Sequence, residues 1–166
     1  MTSQLTEDQR RVLDMTVLMT PDMANFSGNV HGGALLNWLD RVAFSLASRY
    51  SGCYAVTLSV DQVTFKQPIL VGELVSFSAS VNYVGRSSME IGIRVDAENI
   101  AEGTRRHTNS CYFTMVAVDE DRKPVAVPPL SLNTDEQKRR WHAAEVRREL
   151  RREFAERMEK LGKNKD

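Results

Sequence analysis

The sequence predicts an α+β fold in which an antiparallel β-sheet wraps around one long central helix, followed by a charged C-terminal helix. Residues 33–50 are apolar around most of a helical circumference, which is typical of a helix enclosed by protein. After them, apolar and polar residues alternate in segments joined by short links, which is typical of antiparallel strands. These two patterns define the predicted core.

The elements follow from periodicity in chain order. A short strand is expected within residues 12–19, and Ser51-Gly52 ends the helix. Alternation then predicts strands over residues 56–65, 75–83, 89–97 and 111–117, with one face packed and the other wetter. A change of phase at Asp61-Gln62 predicts a β-bulge. His107 shares the phase of Cys111, which leaves a structural role and a ligand contact both open.

A boundary is predicted at Pro128-Pro129-Leu130-Ser131, because two adjacent prolines interrupt regular structure. It separates a domain over residues 1–130 from a helical extension over residues 131–166. Residues 135–166 carry 11 basic and 8 acidic side chains, with an apolar stripe that suits packing on the domain or on a partner subunit. The stripe consists of Val146, Leu150, Phe154, Met158 and Leu161.

Composition limits the classes of function. With 42% hydrophobic residues among 166, the chain can bury a core, and its 22 basic and 22 acidic residues argue against binding nucleic acid through bulk charge. It contains no apolar run of about 18 residues, so no membrane span is expected. Two cysteines without metal-type spacing and an N-terminus without a secretory signal predict no metal site and a cytoplasmic location. Core packing is the expected role of Cys53 and Cys111.

A polar, glycine-rich segment over residues 21–33 precedes the most hydrophobic helix. Backbone N–H groups at a helix start lack intrahelical partners, and glycine lets a ligand approach them closely. Gly32 and Gly33 are therefore candidate donors to an anion or a developing oxyanion. The alternative is a loop that only caps the helix.

Asp40 and Asn25 are the candidate catalytic side chains. Asp40 lies two turns into the predicted helix, and the residues four positions away, Leu36 and Phe44, supply no cation. A carboxylate in such surroundings can act as a general base. The alternatives are an ion pair with a distant arginine or a subunit contact. Asn25 can hold a carbonyl group or a water molecule without competing for the proton.

The segment from Asn25 to Asp40, NFSGNVHGGALLNWLD, resembles the acyl-CoA thioesterases of the hotdog fold. The resemblance is to the bacterial YciA-type and cytosolic long-chain acyl-CoA hydrolase group. It continues through residues 63–68, 71–73 and 84–89, ends near residues 116–124, and covers about residues 10–130.

The resemblance implies dimers whose sheets join edge to edge, commonly assembled into hexamers as trimers of dimers. It implies active sites between subunits, where Asn25 of one subunit acts with Asp40 of the other. The helix N-terminus at Gly32 and Gly33 would receive the thioester carbonyl. The residues implied to contact CoA are His31, Gly85, Arg86, Ser87 and Ser88.

The implied function is hydrolysis of acyl-CoA to free acid and CoA, with Asp40 as general base or as a nucleophile that forms an anhydride. No cofactor is expected, because CoA is part of the substrate and product. One alternative is a non-catalytic regulator that binds acyl-CoA or a nucleotide on the same fold. Another is an enoyl-CoA hydratase of the hotdog type, which is disfavoured because Ser45, rather than histidine, stands five positions after Asp40.

Overall fold

The structure, a computed structural model, describes residues 4–163. Over that range the chain forms three helices, five strands and a short 3₁₀ turn at Pro21–Met23. In chain order they are α1 (Glu7–Arg10), β1 (Val12–Leu18), α2 (Gly32–Ser51), β2 (Tyr54–Val60), β3 (Leu74–Val84), β4 (Ser88–Asn99), β5 (Thr104–Val118) and α3 (Asp135–Lys163).

The five strands form one antiparallel sheet in the order β1-β3-β4-β5-β2, and α2 packs against it. Alternate residues of β3, β4 and β5 bury their side chains together with one face of α2. The predicted α+β architecture, a sheet wrapped around one long helix, is confirmed. From the helix, the buried face comprises Leu35, Leu39, Val42, Ala43, Leu46, Ala47 and Tyr50.

The helix α2 is buried on one face only within the protomer. Leu36 and Phe44 remain 38% and 37% exposed, and Asp40 lies exposed between them at helical spacing. The sequence predicts a helix enclosed by protein on most sides. The exposed face that contains Leu36 and Phe44 lacks such packing within the protomer. We call Leu36, Asp40 and Phe44 the open face of α2.

The strand predicted over residues 56–65 is shorter than expected. β2 ends at Val60, and its irregularity in register falls between Thr57 and Ser59 rather than at Asp61-Gln62. Alternation reports only an extended chain with one apolar side, whereas a strand also needs a backbone partner. After the Asp61 N–H donates to the Tyr112 carbonyl, the described chain leaves the sheet.

The expectation of one wetter face is wrong for the central strand. Glu90 and Asp96 of β4 are only 3% and 7% exposed, on the face opposite the core. Burial raises the pKa of Asp96, but a hydrogen bond from Arg94 and the charges of Arg94, Arg105 and His107 outweigh it and lower that pKa overall. Long basic side chains therefore cover a buried carboxylate that alternation alone would place in solvent.

The chain divides into two compact units, of which the first ends at Pro129 and the second begins at Leu130. Within the second unit, α3 carries ion pairs between residues three or four positions apart, such as Glu136 with Arg139 and Arg140. The five residues of its apolar stripe are all exposed. Across residues 4–163, each helix is too short or too polar to cross a membrane.

Candidate active site

The loop before α2 is organised by the side chain of Asn25. Its Oδ1 accepts hydrogen bonds from the N–H groups of Ser27 at 2.9 Å and Asn29 at 3.1 Å. The Asn25 N–H donates to the Asn29 carbonyl at 2.6 Å, and Gly28 adopts a positive φ of 80° that closes the turn. Because the carbonyl end of the side chain holds the loop, its Nδ2 donors remain available to a ligand.

The start of α2 offers one backbone donor rather than two. The His31 side chain caps the helix, and its Nδ1 accepts the Gly33 N–H at 2.9 Å. The carbonyl of His31 accepts from the next two N–H groups, those of Ala34 and Leu35. We therefore revise the predicted pair of donors to Gly32, whose N–H has no partner among residues 4–163. The capping alternative holds for His31 and Gly33.

A pocket of about 210 Å³ lies beside Gly32 and Asn25. Its wall is largely apolar, and amide side chains supply most of its polar groups. Apolar walls strengthen any hydrogen bond made inside, because little water competes for it. The pocket is lined by Asn25, Asn29, Val30, Gly32, Leu35, Phe65, Gln67, Pro68, Ile69, Thr108 and Asn109.

Asp40 lies outside this pocket, on the open face of α2. The Thr57 hydroxyl of β2 donates to Asp40 Oδ1 at 2.7 Å, which fixes the carboxylate against the sheet. No cation in the described part of the chain pairs with Asp40, so the alternative of an ion pair with a distant arginine is not realised within the protomer. The exposed carboxylate thus keeps its Oδ2 without a hydrogen-bond partner among residues 4–163.

The protomer brings some of the candidate residues together and separates others. Asn25 and Gly32 share the pocket, whereas the turn containing Gly85, Arg86, Ser87 and Ser88 lies far from it. The Ser87 carbonyl accepts from Ala117, eight residues along β5 from the pocket residue Asn109. Eight strand residues span about 26 Å. The CoA contacts of this turn and of His31 both stay predictions.

The site places Cys111 in the core and groups no set of metal-ligand side chains among the described residues. Burial raises the pKa of Cys111 to about 12, with a smaller contribution from the charge of Asp61, so its thiol stays protonated at neutral pH. Cys53 is half-buried and free. Within residues 4–163, no three His, Cys, Asp or Glu side chains lie close enough to hold a metal ion.

One wall of the pocket is held by an ion pair between a buried carboxylate and a half-buried guanidinium group. Arg106 of β5 donates to both carboxylate oxygens of Glu73, at 2.6 and 2.7 Å, and to the carbonyl of Pro68 at 2.8 Å. Glu73 also accepts the Leu70 N–H at 2.8 Å. These bonds fix the segment that supplies Pro68 and Ile69 to the pocket, and Val30 in turn donates its N–H to Ile69.

The stability of this wall is expected to depend on pH. The hydrogen bond from Arg106 lowers the pKa of Glu73 below its ordinary value of 4.5. The pair therefore stabilises the native state fully above pH 4.5, and this contribution is lost as pH falls through the lower native pKa. Arg106→Gln should cost about 3 kcal/mol at pH 7, because it leaves a buried carboxylate unpaired. Urea unfolding across a pH series measures the difference, which should shrink in acid; a constant difference would contradict the pairing.

Two residues of the site escape the sequence analysis. Thr57 stands at a polar position of an alternating strand, and only the packing of β2 beside α2 shows that it reaches Asp40. Asn109 is an amide side chain at a position of β5 that shares the phase of the buried residues Cys111 and Phe113. A polar residue at a core-facing position of a strand is the sequence feature that could have indicated Asn109.

A long helix wrapped by an antiparallel sheet, with a donor-lined pocket at the helix start, defines a protein of the hotdog class. Residues 27–104 match the family model of the thioesterase superfamily. Protein VdlD of Helicobacter pylori is 50% identical over 146 residues, which make up 88% of this chain and 83% of that protein. The chain therefore belongs to the thioesterase superfamily.

Solved structures agree with this assignment. A crystal structure of a hexameric acyl-CoA thioesterase matches with a TM-score of 0.84 at 36% identity, over 88% of this chain and 94% of that one. The acyl-CoA hydrolase of Staphylococcus aureus, solved with butyryl-CoA and CoA, matches with a TM-score of 0.78 at 28% identity, over 91% and 94%. Both confirm the hotdog fold.

The Staphylococcus aureus hydrolase has also been solved as three alanine variants, which replace an asparagine, an aspartate and a threonine. Those residues are separated by fifteen and seventeen positions along its chain. Asn25, Asp40 and Thr57 have the same two separations here.

Proposed function

We propose that this protein hydrolyses acyl-CoA thioesters to a free acid and CoA. The hydrogen bond between Thr57 and Asp40 carries the proposal. The Thr57 hydroxyl orients the Asp40 carboxylate on the open face of α2, where that carboxylate can act as a base or a nucleophile. The shared spacing with the Staphylococcus aureus hydrolase supports it. The reaction needs no cofactor, since CoA belongs to the substrate and product.

The proposed chemistry uses the pocket and the open face of α2 together. The Gly32 N–H, at the positive end of the helix dipole, polarises the thioester carbonyl. Asp40 takes a proton from water as the water oxygen attacks the carbonyl carbon, the C–S bond then breaks, and the CoA thiolate leaves and is protonated. Direct attack by Asp40, giving an anhydride that water hydrolyses, is the alternative route. Asn25 orients the water or the thioester.

The proposed site is completed by a second subunit. The apolar residues Val56, Leu58 and Val60 are exposed along β2, which is an edge strand. The ring of Phe44 packs edge-to-face on Tyr54 of β2, with ring centroids 5.4 Å apart, so the open face of α2 continues onto this edge. A long apolar edge strand favours pairing with another chain. We therefore propose a dimer through β2, assembled further into a hexamer like the hexameric thioesterase it resembles.

Thr57→Val is expected to lower kcat roughly tenfold to a hundredfold, because it removes a hydrogen bond to a charged acceptor. Steady-state kinetics with an acyl-CoA that the wild type hydrolyses measure the effect. Thr57→Ser retains the hydroxyl and serves as the matched control, with activity near that of the wild type. Equal losses in both variants would assign Thr57 to packing alone.

A thioester-release assay across short, medium and long acyl-CoAs tests the proposed function. Release of the CoA thiol from acyl-CoAs of at least one range of acyl-chain lengths supports the proposed function. The alternative, a non-catalytic regulator, predicts that acyl-CoA binds without release of the thiol at any chain length. A hotdog hydratase would add water to an enoyl-CoA. This alternative is the weakest, because Ser45 stands where such hydratases carry a histidine. A cytoplasmic location stays a prediction from the sequence.

A further inference from the structure

Asn109 lines the pocket directly beside an irregularity in β5. The register between β4 and β5 shifts between Val95 and Asp96, so that Val95 faces Asn109 while Asp96 faces His107. Thr108 is the extra residue, and it is buried together with Asn109. A β-bulge re-aims the side chains around it, and bulges are frequent beside active sites. Here the bulge directly precedes Asn109, whose side chain shares the buried phase of Cys111 and Phe113 and lines the pocket wall.

The amide of Asn109 is only half satisfied. Its Oδ1 accepts the Thr108 hydroxyl at 3.1 Å, and that hydroxyl also lies 3.1 Å from the Val95 carbonyl. The Nδ2 atom is buried without a partner among residues 4–163, in a side chain whose residue is 2% exposed. An unpaired buried donor destabilises the folded state, so an unpaired donor on a residue that lines a pocket calls for an explanation by a ligand.

We infer that Asn109 Nδ2 is the second hydrogen-bond donor to the substrate thioester carbonyl, beside the Gly32 N–H. This rests on the proposed thioesterase function. Both residues line the same pocket, whereas the Gly33 N–H, which the sequence predicts as a donor together with Gly32, is bonded to the His31 side chain. Charge develops on the carbonyl oxygen as the thioester is attacked, so a fixed donor in an apolar pocket stabilises the transition state more than the ground state.

Asn109→Leu tests the inference, because it removes the donor while the Thr108 hydroxyl keeps the Val95 carbonyl as acceptor. The expected result is a fall in kcat of about 10²–10³-fold with KM changed by less than about threefold. The melting temperature should stay level or rise, because an unpaired buried amide has been replaced. Asn109→Ala, which adds no bulk, should show the same fall in kcat and guards against a packing clash with the larger side chain.

The matched control is Thr114→Val on the same strand. The Thr114 hydroxyl is likewise buried without a partner among the described residues, but it lies outside the pocket. This variant should also keep or raise the melting temperature, with kcat unchanged. Wild-type kcat in both Asn109 variants, or a loss confined to KM, overturns the inference while hydrolysis by the wild type still stands. A wild type that releases no thiol overturns the proposed function, and the inference with it.

Discussion

Replacing Asp40 by asparagine is expected to lower kcat about 10²–10⁴-fold, because the variant lacks the group that takes the proton from water. Asparagine has the same shape, and its Oδ1 can still accept the Thr57 hydroxyl that Asp40 Oδ1 accepts at 2.7 Å. The fold and the subunit assembly should therefore persist. KM should change little, since the lost interaction belongs to the chemical step.

The measurement is a thioester-release assay, with sedimentation to confirm that the assembly is retained. Asp14→Asn, which makes the same change at an exposed position of β1, is the control and should behave as the wild type. If Asp40→Asn turned over acyl-CoA at nearly the wild-type rate, Asp40 would be neither base nor nucleophile. An open helix face bearing a carboxylate would then be only a subunit contact.

Periodicity predicts most of the fold because each element is long and strongly patterned. The helix expected over residues 33–50 forms as Gly32–Ser51, where Gly52 ends it with a positive φ of 71° and an N–H bond to the Ser48 carbonyl. The strand expected within residues 12–19 forms as Val12–Leu18. Both ends of α2 are marked locally in the sequence, so no tertiary information is needed to place them.

The site is less predictable, because it depends on irregularities and on contacts between distant elements. Alternation assigns His107 to the phase of Cys111, but the bulge at Thr108 moves the His107 ring toward Asp96, where Nδ1 lies 3.4 Å from Oδ1. The alternation of polar and apolar residues does not reveal that single extra residue. The side-chain cap of His31 on Gly33 is likewise a choice of rotamer, which the residue types leave open.

The separation of Asn25 from Asp40 is the most consequential feature of the protomer. Asn25 lines the pocket at the start of α2, while Asp40 lies outside it on the open face beside the β2 edge. Under the proposed function, a single subunit therefore presents two half-sites. Pairing two subunits by a two-fold axis would unite the half-sites in two equivalent places.

Mixing two inactive variants is expected to restore activity if each site is shared in this way. In a dimer of one Asn25→Ala and one Asp40→Asn subunit, one site carries both lesions and the other carries neither. Random pairing of equal amounts should yield about a quarter of the wild-type turnover, because half of the dimers are mixed and each holds one intact site. Co-expression with two different affinity tags allows the mixed dimer to be isolated and assayed.

The purified mixed dimer should reach about half of the wild-type turnover per dimer, against a residual rate of the parent variants lower by a factor of at least about 10². The control is a mixed dimer of two tagged Asp40→Asn subunits, which should stay inactive, because subunit exchange cannot supply the missing carboxylate. Were Asn25 and Asp40 to act within one subunit, every site of the mixed dimer would carry one lesion and no turnover would return. The open face of α2 and the exposed apolar edge of β2 favour the shared site, since a second subunit is what would cover both.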